Sequence, residues 1–97
     1  MALYTFVLEY DGGTYVSQVL AASKDEAPAA WAASLWPGQV RGMRETNLLE
    51  LRSGITSHSP VPLDGLVNAW CASCLVRGRL ALVNVFETAP AATGSRP

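Results

Sequence analysis

LYTFVLEYDGGTYVSQVL, residues 3–20, is the stretch on which the reading of the fold turns. Tyr4, Phe6, Leu8 and Tyr10 alternate with Thr5, Val7 and Glu9, the period of a strand with one face buried. Asp11-Gly12-Gly13 then supplies residues that accept positive φ, and Tyr15 to Leu20 resumes the extended pattern. The segment therefore predicts a β-hairpin. Whether its turn is centred on Asp11-Gly12 or on Gly12-Gly13, Tyr15, Ser17 and Val19 fall on the face of Tyr4, Phe6 and Leu8, which is the expected core.

Beyond the hairpin, Ser23 is followed three residues later by Glu26, the spacing of a capping box. A helix over Ser23 to Trp36 follows, with Ala27, Ala30, Trp31, Ser34 and Leu35 on one face and Pro37-Gly38 as its stop. Pro28 fits better if the helix starts at Asp25, where it would occupy the tolerant first turn, so both starts remain open. Leu48, Leu51 and Ile55 recur at helical spacing, which predicts a second, short helix over Glu45 to Ser53 with Gly54 as its C-terminal stop. Ser57 to Gly65, with Pro60 and Pro62, reads as an extended loop.

Leu66 to Val76 and Leu80 to Thr88 are β-rich runs separated by Arg77-Gly78-Arg79, a second hairpin. Its first strand is apolar on both sides, with Trp70, Ala72, Cys74 and Val76 on one and Ala69, Cys71 and Leu75 on the other. The second strand places Leu82 and Phe86 on one face and Val83 and Val85 on the other. Strands of this kind are usually covered on both faces. Two accounts meet that need: a second subunit on the spare face, or the two helices sandwiching the sheet within one chain. The first is favoured and makes Leu82, Val83 and Phe86 the candidate partner contacts. Trp36, beside Pro37-Gly38, joins them as a candidate because exposed tryptophan is enriched at binding hot spots.

The resulting fold class is α+β, two β-hairpins forming antiparallel sheet with one or two helices between them, in the order β-β-α-(α)-β-β. Residues 1–88 form the expected single domain, and 89–97 read as a disordered C-terminal tail of Pro, Ala, Gly and Ser. Of the 97 residues, 49% are hydrophobic and 15% charged, against a typical charged share of about 25%. A chain this short buries only about 60% of its unfolded surface, so a thin core with apolar surface left over again suggests self-association.

Seven Lys+Arg against eight Asp+Glu, a formal charge of -1, speak against a nucleic-acid partner. Six of the seven cations are arginine, the residue suited to planar contacts with anions. Leu66 to Val76, broken by Asn68 and Ser73, is too short to span a membrane, so no membrane partner is expected. Met1 to Tyr10 passes directly into a strand, which speaks against a secretory signal. With only two cysteines, the expected location is the cytoplasm and the expected thiols reduced.

Trp70-Cys71-Ala72-Ser73-Cys74 matches the WCxxC redox string of thioredoxin-like proteins, but that chemistry needs its first thiol at a helix N-terminus. In a strand, Cys71 and Cys74 point to opposite faces, which opposes both a disulfide and a shared metal. Two buried structural cysteines are expected. His58, the sole histidine, sits in Ser57-His58-Ser59 without a converging nucleophile and orienting group, and reads as a solvated loop residue. Asp11-Gly12-Gly13 lacks the following helix of a phosphate loop. No catalytic, metal or cofactor residue is therefore named.

The stretch YTFVLEYDGGTYVSQV followed by SKDEA resembles the opening of HicB-like antitoxin domains, a glycine-turn hairpin leading into a helix with an acidic pair and Ala at its start. The resemblance covers the first third of the chain and transfers no functional residue. Taken together, the expectation is a small non-enzymatic bacterial interaction protein, antitoxin-like, immunity-like or accessory. It would act as a homodimer or larger homo-oligomer, with another protein as a further possible partner and no cofactor. The alternatives are a thiol redox protein using Cys71 and Cys74, and a small-ligand binder with an aromatic pocket between the Tyr-rich hairpin and Trp31.

Overall fold

The computed structural model describes residues 1–90. Strands β1 (Ala2–Tyr10) and β2 (Gly13–Ala21) form the N-terminal hairpin, and helices α1 (Ala27–Ser34) and α2 (Glu45–Thr56) follow. Strand β3 (Val61–Pro62) leads to the C-terminal hairpin of β4 (Ala69–Val76) and β5 (Arg79–Ala89). All neighbours are antiparallel, in the order β2-β1-β5-β4-β3. The α+β class holds. The predicted element order misses β3, which arises where Val61 and Pro62 pair with Cys71 and Trp70 at the sheet edge. A proline is tolerated there because its missing N–H can face outward.

Both hairpins turn through two residues of positive φ, Asp11 (49°) with Gly12 (81°), and Arg77 (54°) with Gly78 (73°). These are the signs of a type I′ turn, whose twist matches that of the flanking strands. The first turn is thus centred on Asp11-Gly12. The two turns lie at the same end of the sheet, where Arg79 forms an ion pair with Asp11 at 2.9 Å and Tyr10 Oη–H donates to Val76 O at 2.9 Å. The hairpins are joined by the β1–β5 ladder, in which Phe6 faces Val85 and Leu8 faces Val83.

The face bearing Tyr4, Phe6, Leu8 and Tyr10 is the core, as the alternation predicts. Trp31 of α1 stacks on Phe6 with ring centroids 4.8 Å apart and planes 4° apart, and its indole N–H donates to Ser17 Oγ at 2.8 Å. Ser17 explains itself here: a hydroxyl on the apolar face satisfies the one polar atom of the buried tryptophan. The direct stack also fills the space between hairpin and Trp31 in which an aromatic ligand pocket was an alternative.

Helix α1 is shorter than the predicted span. Its N-cap is Glu26, so Pro28 lies in the first turn and the reciprocal capping box is not formed. Ser23 instead closes the preceding turn, its carbonyl accepting from the N–H groups of Glu26 and Ala27 and its Oγ accepting weakly from Glu26. Helix α2 runs past Gly54, which was expected to stop it. Gly54 is where α2 crosses β4: a Cβ there would meet Cys74 Cβ at 2.5 Å. Its role is close approach rather than termination.

Leu48, Leu51 and Ile55 of α2 join the same cluster as Trp31, Phe6, Val76, Val83 and Val85. Both helices therefore cover one face, and the account in which they sandwich the sheet fails. The C-terminal hairpin begins at Ala69 rather than Leu66, because Leu66 lies in a turn and Asn68 takes a positive φ of 60°. β5 extends through Ala89, which pairs with Leu3. The rest of the expected tail, residues 91–97, lies outside the described residues.

Candidate functional site

Because side chains alternate across a strand, the register that buries Phe6 and Val85 must send Val7, Val16, Leu82 and Phe86 to the opposite face. No helix covers that face. It runs over β2, β1, β5 and β4, and Val16 (62%), Leu20 (60%), Leu75 (61%) and Leu80 (57%) leave more than half their surface in solvent. Leu3, Val7, Leu82 and Phe86 are half-buried between them.

Most polar residues on this face pair with one another, Asn84 and Ser73 being the exceptions. Gln18 Nε2 donates to Thr5 Oγ1 at 2.9 Å, and Thr5 shares a short hydrogen bond with Thr88, which a bulge in β5 turns toward it. Thr14 donates to Glu9 Oε1 at 2.8 Å. Glu9 is the one ionisable carboxylate that the alternation places on the face, which bears no lysine or arginine. The surface is thus apolar and nearly neutral, with its hydrogen-bonding groups largely paired within the sheet.

The four candidate contact residues are not brought together. Leu82 and Phe86 lie on the open face. Val83 is fully buried beneath the helices, since its neighbour Leu82 takes the outward position, and it has no surface to offer a partner. Trp36 is 61% exposed but belongs to the helix layer, where it lines a groove of about 310 Å³ with Leu35, Leu48 and Leu49. The residues that sequence reasoning missed, Val16, Leu20 and Leu75, are signalled by the same alternation that identified the core, read for its other half.

Both thiols are free, and each is half-buried rather than fully buried as expected. They face opposite sides of β4, as strand parity requires. Cys74 lies under α2, where its Sγ approaches Leu51 O at 3.9 Å, and burial, with Glu50 adding, pushes its pKa up from the ordinary 9.0. Such a thiol is protonated at neutral pH and a poor nucleophile. Cys71 lines a small cavity at the sheet edge, about 320 Å³, whose wall also includes His58. His58 is exposed and its Nδ1 meets Ser57 Oγ at 3.1 Å.

No group of three or more His, Cys, Asp or Glu side chains able to hold a metal is found among the described residues. No helix is long and apolar enough to cross a membrane among the described residues. Comparison of the chain with protein-family models, curated proteins and solved structures finds no match.

Proposed function

We propose that this chain is a non-enzymatic interaction protein that works as a homodimer, two copies stacking their open sheet faces. One observation carries the reading: a five-stranded sheet is covered by helices on one face only, while the other exposes aliphatic side chains from four adjacent strands. Contiguous apolar surface of this kind marks an interaction site in a soluble protein.

A second copy fits the face on area and charge. Strands of nine residues span about 30 Å, and four of them about 19 Å, so the face offers roughly 600 Å² per copy. A pair buries roughly 1,200 Å², the lower bound of specific interfaces. With Glu9 at one edge and no cation, two copies related by a two-fold axis meet no opposing charge at the centre. The packing would be that of a β-sandwich, its sheets about 10 Å apart. The N-terminal resemblance to HicB-like domains suggests an antitoxin-like or immunity-like role, in which the helix layer with Trp36 remains free for another protein.

Light scattering at micromolar concentration tests the dimer. The expected result is twice the 10.3 kDa chain mass, reduced to one chain by Leu82→Asp or Val16→Asp with the circular dichroism spectrum retained. A monomeric wild-type chain overturns the proposal. Val83→Asp is no test of the interface, because a carboxylate in that buried position unfolds the protein.

A further inference from the structure

At the hairpin-turn end of the sheet, the connection from α1 to α2 walls an open cavity of about 790 Å³. Three arginines line it, Arg41, Arg44 and Arg77, and none of its lining residues is acidic. In a chain of net charge -1, this gathers three of the six arginines into one concavity. None of the three forms a salt bridge among the described residues, whose two ion pairs are Lys24–Asp25 and Arg79–Asp11.

The wall is built rather than loose. Val40 and Met43 are buried in the core and pin the connection on either side of Arg41. Arg41 N–H donates to Tyr15 Oη at 3.2 Å, fixing the backbone there to β2. Arg77 sits in the β4–β5 turn with a positive φ of 54°, its backbone N–H donating to Glu50 Oε1 at 3.1 Å. Its Nη1 donates to Gly42 O at 2.7 Å, which spends one of five guanidinium donors and orients the others.

Arg44 is also the N-cap of α2, where a serine, threonine or aspartate would ordinarily accept from first-turn N–H groups. An arginine has no acceptor to give them. Asn47 Oδ1, which could have turned inward, accepts from Arg44 N–H instead, at 3.0 Å. The cavity wall thus brings three arginines and Thr46 to the positive end of a twelve-residue helix.

We infer that this cavity binds the phosphate group of a small phosphorylated molecule, held by Arg41, Arg44 and Arg77. A carboxylate is planar and is satisfied by one arginine fork. Donors converging from two separate loops and a helix end suit a tetrahedral dianion with three free oxygens. The volume, within the usual roughly 300–1,000 Å³ of ligand sites, leaves room for an organic portion beyond the phosphate. The site shares no residue with the open sheet face, so it stands apart from the proposed dimer.

Calorimetric titration of the full chain at low ionic strength, with inorganic phosphate, adenosine 5′-monophosphate and acetate, tests it. Saturable one-site binding of phosphate or of the nucleotide, with acetate at least about tenfold weaker, is expected. Tighter binding of the nucleotide identifies an organic phosphate as the ligand, and equal affinity identifies the free oxyanion. Arg41→Gln and Arg44→Gln should each weaken binding about tenfold with unchanged circular dichroism. Arg52→Gln, exposed on α2 but outside this cavity, should leave it unaltered. Absence of saturable binding at millimolar phosphate and nucleotide, acetate binding as tightly as phosphate, or binding indifferent to both cavity arginines or equally sensitive to Arg52, overturns the inference.

Discussion

The two faces of one sheet, made by the same strands in the same register, have opposite fates. On the helix-covered face, Phe6, Leu8, Val83 and Val85 are completely enclosed, and the polar atoms of Trp31 and Tyr10 have partners. On the other, Val16, Leu20, Leu75 and Leu80 stand mostly in solvent while Thr14 pairs with Glu9 and Gln18 with Thr5. Aliphatic content does not separate the faces. What separates them is the aromatic and small-residue matching that lets a helix seat, Trp31 on Phe6 and Gly54 on Cys74, which the open face lacks.

Substitutions on the two faces should therefore diverge in what they break. Phe6→Ala removes the ring on which Trp31 stacks and should cost about 3–5 kcal/mol by chemical denaturation. Val16→Asp on the open face should leave monomer stability within about 0.5 kcal/mol and act on association instead. A comparable loss of monomer stability from both would erase the distinction drawn between the faces.

Gly54→Ala sharpens the covered side. Alanine favours a helix interior by up to about 1 kcal/mol, yet here its Cβ would meet Cys74 Cβ at 2.5 Å. The steric term should win, giving a net loss of about 1–3 kcal/mol, read from the urea midpoint. An increase in stability would mean that α2 and β4 are not in close contact.

The covered face should also be the alkali-sensitive one. Burial raises the pKa of Tyr4 above its ordinary 10.0, with Glu87 and Asp25 adding, and burial raises that of Cys74 above 9.0. For each, the folded state resists ionisation more than the unfolded one. The stability so gained is present in full below the unfolded pKa and is lost as pH rises through the folded one. Urea midpoints should fall from about pH 9 upward, and Cys74→Ala should delay the onset. A midpoint constant through this range would contradict the burial of both groups.

Ser23→Ala should have the smallest effect, below about 0.5 kcal/mol in a thermal melt, despite its capping-box spacing. The Ser23 carbonyl already accepts from Glu26 and Ala27, and the Oγ contact with Glu26 N–H, at 3.3 Å, is long. A loss near 1–2 kcal/mol would move the helix start back to Ser23.

The hairpins and the side of each strand were legible because their signals are local: a two-residue period and turns carrying Gly. What needed a distant partner was hidden. Gly54 looks like a helix stop until Cys74 is seen beneath it, and Val61-Pro62 looks like a loop until β4 lies alongside. Leu82 and Val83 are equally apolar in sequence, so only the helices' choice of face makes one exposed and the other core. The arginine cavity was the least legible, because Arg77 reaches Arg41 and Arg44 only after the sheet has brought the second turn to the end of the first.

The β1–β5 ladder also sets a schedule. Since Tyr4 pairs with Glu87 and Tyr10 with Ala81, the middle of the sheet cannot close while the ribosome still holds β5. Until then the N-terminal hairpin has only the helices and their connection to lean on, and the β1 edge that β5 will occupy is open to any passing strand. Such non-local closure makes the chain a slow folder for its size, and places its period of greatest aggregation risk between the emergence of β1 and the emergence of its last partner.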